Sequence, residues 1–287
     1  MDVAVVGAGR AGTAVAVILE RAGHRIVAAS GRDSTRARVA RYLPGVPVVD
    51  AAEAARAADL VLVAVPDDDI SSVVERLATE RTLRTGAWVA HLAGALGLDV
   101  LGPARRAGAR RLAIHPLQTF PDVDAGLERL PGCTVAVTAD DRDGAALGSS
   151  LARDLGAVPF ALADERRPLY HAAAVFASNH LVVTSVTAAQ LFAAAGVPDP
   201  AAAMHPLQAA SLDNVVRLGP EEALTGPAVR GDAGTVARNL DALAASQPAA
   251  VPVYVAMARL ALDIGSRTGR LRAPQRAAVE EVLARWS

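Results

Sequence analysis

An α/β domain followed by an all-helical domain is the fold class this sequence predicts, and three observations predict it. Short apolar runs alternate with helical periodicity from Val3 to about Asp164, the pattern of strands and crossover helices in a parallel sheet. The run Leu60–Val65 is apolar throughout, as a central strand covered on both faces must be. Beyond Asp164 the alternation stops and only helical stretches follow, separated by breakers at Gly196-Val197-Pro198, Gly226-Pro227 and Pro248. The expected domains are therefore 1–163 and 164–287.

The first strand, Val3–Val6, runs directly into Gly7-Ala8-Gly9-Arg10-Ala11-Gly12, with a helical pattern behind it (Ala14, Val15, Val17, Ile18, Leu19). This is strand, Gly-x-Gly-x-x-Gly, helix. Gly7 permits the tight turn, Gly9 lets the backbone approach a pyrophosphate, and Gly12 lets the helix pack closely on the strand. The phosphates would rest on the free N–H groups at the helix start. The six residues Gly7, Ala8, Gly9, Arg10, Ala11 and Gly12 are the expected dinucleotide cradle, and they make the sheet Rossmann-type and mostly parallel. Further strands are expected at Arg25–Ala29, Val46–Val48, Leu60–Val65, Trp88–Leu92, Leu112–Ile114, Thr134–Val137 and Val158–Leu162, with helices at Asp33–Tyr42, Ala51–Ala57, Ile70–Ala78 and Gly144–Leu155. The C-terminal half reads as helices over Glu165–Ala195, Ala201–Leu218, Gly234–Ala245, Val251–Thr268 and Pro274–Trp286.

Composition narrows the function. A net charge of −1 gives no basic surface for nucleic acid or an anionic membrane. Cys133 is the single cysteine, so no disulfide framework exists, and its apolar run suggests a buried thiol. No basic stretch precedes an apolar one at the start, so no secretory signal is expected and the protein reads as cytoplasmic. The apolar segment Ala172–Val197 is interrupted by Ser178, Asn179, His180 and Gln190, which suits a buried core helix better than a membrane span. All 29 basic residues are arginine. No lysine is available for catalysis.

The tip of the second strand meets the adenosine ribose in such folds, where an acid selects NAD and an arginine accommodates the 2′-phosphate of NADP. The tip here is Ser30-Gly31-Arg32-Asp33-Ser34. Ser30 and Arg32 favour NADP, with NAD the alternative, and Asp33 is assigned to helix capping. The turn Val65-Pro66 after the fourth strand is expected to line the cofactor site, and the aspartates Asp67, Asp68 and Asp69 behind it read as a helix start rather than a metal site. His91 after the fifth strand and His115 after the sixth lie at the carboxyl edge where cofactor and substrate would meet. His91 is assigned to the cofactor and His115 to the substrate.

Several longer motifs carry a resemblance. The glycine start, Val65-Pro66-Asp67-Asp68, His115-Pro116-Leu117-Gln118-Thr119-Phe120, the stretch Tyr170-His171-Ala172 through Ser178-Asn179, and Thr225-Gly226-Pro227-Ala228-Val229-Arg230-Gly231-Asp232 together resemble Rossmann-like proteins with a C-terminal helical domain of unassigned function. These belong to the 6-phosphogluconate dehydrogenase-like superfamily, beside pyrroline-5-carboxylate reductase and ketopantoate reductase. The resemblance covers nearly the whole chain. It implies hydride transfer to a small carboxylate-bearing ketone or imine, with ketopantoate the leading substrate, and a homodimer paired through the helical domain. Classical ketopantoate reductases and hydroxyacid dehydrogenases of this superfamily use a helix lysine as proton donor; this chain has none, so the resemblance does not carry that mechanism over.

Reducing a ketone needs a proton for the oxygen as negative charge develops there. The expected long helix from Glu165 offers His171 as donor, with Ser178 and Asn179 at offsets of seven and eight on the same helical face. Arg230, in a glycine-bounded loop, could hold a substrate carboxylate or pair with Asp232. Three readings stand at this point: a ketone reductase, an imine reductase, and a non-catalytic NADP(H)-binding sensor.

Overall fold

The computed structural model describes residues 1–286; residue 287, the last of the expected second domain, lies outside the description. Seven strands form one sheet: β1 (Asp2–Val6), β2 (Arg25–Ser30), β3 (Leu60–Val63), β4 (Trp88–His91), β5 (Arg110–Pro116), β6 (Thr134–Ala139) and β7 (Val158–Ala161), in the order β2-β1-β3-β4-β5-β6-β7. All neighbours are parallel except β5 and β6. The alternation of side chains builds two cores. Val3, Val5, Leu60 and Leu62 enter one face, and Ala4, Val6, Val61 and Val63 the other. With apolar residues on both faces, β3 reads as an unbroken apolar run and is wholly buried.

The helices of this half cover the two faces: α1 (Arg10–Arg21), α2 (Thr35–Tyr42), α3 (Ala51–Arg56), α4 (Asp67–Thr79), α5 (Gly102–Arg106), α6 (Val123–Arg129) and α7 (Arg142–Asp154). Helix α1 packs Ala14, Val15 and Leu19 on the β1–β3 surface, and α4 packs Ile70, Val74 and Leu77 on the opposite one. Each such buried Leu or Ile contributes about 1.5–3 kcal/mol.

Two local expectations need correction. Val46–Val48 forms no strand, only an isolated parallel bridge from Val48 to Ala29; Pro47, within it, lacks the N–H a ladder requires. Asp33 does not cap α2, because Ser34 occupies the N-cap position and no side chain caps the helix. The three aspartates form the first turn of α4 behind an N-cap at Pro66, so they favour the helix by charge alone.

The second half holds α8 (Arg167–Ala177), α9 (Asn179–Ala194), α10 (Pro200–Leu218), the short α11 (Pro220–Ala223) and α12 (Pro227–Arg230), then α13 (Ala233–Ser246), α14 (Val251–Arg267) and α15 (Ala273–Ala284). The expected helix Glu165–Ala195 is broken at Ser178, whose backbone (φ −126°, ψ −69°) is not helical. The two compact units divide there, into Met1–Ala177 and Ser178–Ser287, not at 163/164. The reason is chemical. Arg167 on α8 is buried and bonded to Thr138 of β6 and to Ala93 after β4, so α8 belongs to the sheet unit.

The second unit has its own core of Val236, Leu240, Val255, Leu262, Val279 and Leu283, from α13, α14 and α15. Helix α9 contributes little to it. The segment Asp164–Ala194, which holds most of the expected core helix Ala172–Val197, has no buried residues across its most apolar window, whereas one-third of the corresponding window of Pro248–Arg267 is buried. Both stretches are long and apolar enough to cross a membrane by length and composition.

Candidate functional site

The strand order places β1 between β2 and β3, so chain connections leave in opposite directions from that point and open a crevice at the carboxyl ends of the strands. A groove of about 600 Å³ lies there. Gly7, Ala8, Gly9 and Arg10 line it after β1, Ser30, Gly31 and Arg32 after β2, and Ala64, Val65 and Pro66 after β3. Of the expected cofactor residues, Ala11, Gly12 and His91 do not line it.

The glycine turn is held in place from several sides. The Ser30 carbonyl accepts the N–H groups of Gly7 (2.9 Å) and Ala8 (2.8 Å), and Arg38 Nη1 donates to the Ala8 carbonyl at 2.9 Å. Gly7 has φ +95°, a region that side chains resist. A Cβ at Gly12 would stand 2.6 Å from the Gly7 carbonyl oxygen and 2.8 Å from Ala64 Cβ, so Gly12 serves close helix–strand packing. At Gly9 the nearest atom to an added Cβ is the Gly7 oxygen at 3.9 Å. That position is open, and Gly9 begins α1 with no side-chain cap. An uncapped helix start facing an unfilled groove fits a pyrophosphate.

The rim is cationic. Arg32, largely exposed, stands 3.6 Å from Asp69, and Arg38 and Arg76 complete the lining. Thr35 and Arg38 on α2 and Ser72 and Arg76 on α4 were missed as lining residues from the sequence. Helical spacing could have found the second pair, since Asp69, Ser72, Val73 and Arg76 share one face of α4.

Further along the same edge stands a second cluster. His115 ends β5, and its Nδ1 is 2.8 Å from the Tyr170 hydroxyl. His115 and His171 meet edge to face with ring centroids 6.2 Å apart. Both rings close over Gly94, where a Cβ would stand 2.6 Å from His171 Nδ1 and 2.8 Å from His115 Nε2. Burial, the Arg167 cation and His171 depress His115 to about 4, and burial pushes Tyr170 up to about 12. Asp67, at the start of α4, is raised by burial while His171 pulls it back down. His171 Nδ1 is buried with no hydrogen-bond partner among the described residues.

His91 does not face the groove. It is fully buried, its Nδ1 accepts the Ala93 N–H at 3.1 Å and its Nε2 meets the Gly97 carbonyl at 3.1 Å. Its side chain holds the turn that carries Gly94, and burial lowers it to about 4. In the second unit Ser178 is the N-cap position of α9 and Asn179 its first residue. Arg230 is exposed at the end of α12. Asp232 caps α13 through the Thr235 N–H at 2.9 Å, the role that its carboxylate takes here. The break at Ser178 removes the shared helical face that grouped Ser178 and Asn179 with His171.

A Rossmann-type sheet with an open glycine cradle defines a dinucleotide-binding α/β protein. Comparison with known proteins gives the rest: residues 1–116 match the Rossmann-like domain, and residues 133–261 match a domain of unknown function, DUF2520. The chain is 34% identical over 168 residues to a glycerol-3-phosphate dehydrogenase [NAD(P)+] of Chelativorans sp. (strain BNC1), covering 54% of this chain and 50% of that protein. The chain therefore spans about half the length of the curated relative it matches. A structure from Bacteroides fragilis, provisionally named an NADP oxidoreductase, superposes with a TM-score of 0.76 at 25% identity over 91% of this chain and 98% of that one. An imine reductase from Myxococcus stipitatus in complex with NADP+ shares the fold, with a TM-score of 0.66 at 16% identity over 100% and 99% of the two chains.

Proposed function

We propose that this protein is an NADP-dependent oxidoreductase that reduces a small carboxylate-bearing ketone, with ketopantoate the leading candidate. The observation that carries the reading is the open, uncapped start of α1 at Gly9, rimmed by Arg32, Arg38 and Arg76, at the same strand edge as the His115–Tyr170–His171 cluster. Its similarity to a curated NAD(P)+ dehydrogenase and to the Bacteroides fragilis protein supports the same class.

In this reading the helix start and Gly7–Arg10 hold the pyrophosphate, Ser30 and Arg32 take the 2′-phosphate, and Val65 and Pro66 line the floor. A bound reduced nicotinamide supplies the hydride. The chain supplies the proton: His171, beside Asp67 and over Gly94, is the donor, and with lysine absent no other superfamily-type acid is available. His115 lines the substrate pocket. The enzyme works as a cytoplasmic homodimer. Val182, Val183 and Val186 of α9 and Val253, Met257 and Leu260 of α14 are exposed, an apolar surface that soluble monomers rarely carry.

The test is steady-state oxidation of NADPH against a panel of 2-keto acids and cyclic imines. Turnover of a keto acid supports the reading, and turnover confined to imines replaces the substrate class. Cofactor binding with no turnover on the full panel returns the protein to a sensor. With the true substrate, His171→Ala should lower kcat about 10²–10⁴-fold, the scale of a general acid, and leave NADPH binding unchanged.

A further inference from the structure

Arg167 is the charged group that the proposed function leaves unused. Its side chain is wholly buried. The guanidinium donates to Thr138 Oγ1 at 2.9 Å and to the Ala93 carbonyl, and Nε has no partner among the described residues. No carboxylate forms an ion pair with it among the described residues. A buried cation without a counter-ion is costly and acts on whatever surrounds it.

Its surroundings are the imidazoles of His115, His91 and His171 and the phenol of Tyr170, with Asp164 and Asp67 the nearest acids. His91 already uses both nitrogens. His115 uses one. Its Nδ1 meets the Tyr170 hydroxyl, while its Nε2, over Gly94, makes no hydrogen bond among the described residues. His115 is also the one hydrogen-bond partner of that hydroxyl among the described residues. With the phenol donating this hydrogen bond, Nδ1 accepts and the neutral imidazole carries its own proton on Nε2.

We propose that His115 is a neutral hydrogen-bond donor of the site, presenting Nε2–H to the carbonyl oxygen of the substrate, with Tyr170 fixing that tautomer and Arg167 a positioning residue. Arg167 keeps the ring uncharged and, through Ala93, pins the turn on which Gly94 lies beneath both histidines. A neutral imidazole polarises a carbonyl without giving up its proton. His115 therefore forms one hydrogen bond, Nε2–H to oxygen, which shortens as negative charge develops, and no covalent bond to His115 breaks. The proton that ends on the oxygen comes from His171. The burial of His115 and its lowering to about 4 agree with this state. The inference rests on the reductase reading for the identity of the substrate oxygen, but the state of His115 is measurable without it.

The test is ¹⁵N NMR of the histidine ring nitrogens of the full chain, without cofactor, from pH 4 to 8. His115 should stay neutral and protonated at Nε2 down to about pH 5. Tyr170→Phe should mix the two tautomers. Arg167→Met should raise the protonation midpoint of His115 by at least about tenfold in proton affinity, and Arg167→Lys should return it toward wild type. If Arg167→Met does not fold, the Tyr170→Phe and Arg167→Lys spectra decide. A wild-type His115 that charges near the ordinary imidazole value, or carries its proton on Nδ1, overturns the proposal. In turnover, His115→Gln, which keeps an N–H donor, should retain at least about tenfold more kcat than His115→Phe at similar KM; equal losses would also overturn it. Absence of turnover on every substrate would count against the reductase reading and leave the NMR result to judge His115.

Discussion

Replacing Gly9 by valine separates the cofactor site from the fold more cleanly than any other change in the glycine motif. The backbone at Gly9 is extended (φ −77°, ψ −158°), which a side chain tolerates. An added Cβ there meets nothing closer than 3.9 Å. Stability should therefore change by less than about 1 kcal/mol, the loss of a favourable N-cap glycine being the main term. The valine methyls would instead occupy the space above the start of α1. A pyrophosphate there would gain two charge-assisted N–H contacts at about 1.5–3 kcal/mol each. Losing both weakens NADPH by about 3–6 kcal/mol, or roughly 10²–10⁴-fold in Kd. Gly12→Ala makes the control. Its Cβ would press to 2.6 Å on the Gly7 oxygen, so it should destabilise the fold by about 1–3 kcal/mol. Calorimetric titration with NADPH and urea unfolding of both variants provide the two readouts. Wild-type NADPH affinity in folded Gly9→Val would refute the placement of the pyrophosphate.

Arg32→Ala should weaken NADPH selectively, by about 1.5–3 kcal/mol, because Arg32 is largely exposed and its ion pair with Asp69, at 3.6 Å, is loose enough to yield to a phosphate; equal losses for NADPH and NADH would show that it does not read the 2′-phosphate. Stability should fall as pH drops from 6.5 towards 4, since His91 and His115 stay neutral in the fold to about 4 while the unfolded chain takes up protons from about 6.5. The loss approaches about 3 kcal/mol per histidine at pH 4 and is absent above pH 7; urea titrations across that window should lose part of their slope in His91→Gln, and an unchanged slope would contradict the burial argument. Light scattering at micromolar concentration should give the mass of a dimer, and Val183→Asp on the exposed face of α9 should shift it towards monomer.

Local patterns made most of the sheet unit legible. The strand–glycine–helix start depends on residues adjacent in sequence, so Val3–Val6 and Gly7–Gly12 reveal both the fold and the cradle. The unbroken apolarity of Leu60–Val63 marks a central strand because both faces of a parallel sheet are covered. The cationic rim was half visible: Arg32 follows a strand tip, but Arg38 and Arg76 reach the groove from helices whose placement only packing settles.

Other outcomes required distant parts of the chain to meet. His91 and His115 occupy similar positions at strand ends, yet one is sealed into the Ala93 and Gly97 peptides and the other meets Tyr170 across 55 residues. Sequence composition alone does not distinguish a histidine bonded to backbone from one bonded to a distant tyrosine. Arg167 looked like one arginine among 29, and its burial depends on Thr138 of β6 and Ala93 of the turn after β4 arriving together. The continuous periodicity from Glu165 to Ala195 suggested one helix, while the backbone breaks at Ser178 and the units divide there. The sequence by itself determined the sheet, the glycine cradle and the absence of lysine, because these rest on local spacing and composition. The tertiary structure alone decided which imidazole is bonded to backbone, which meets a tyrosine and where the buried cation stands, because burial and electrostatics are set by neighbours that are remote along the chain.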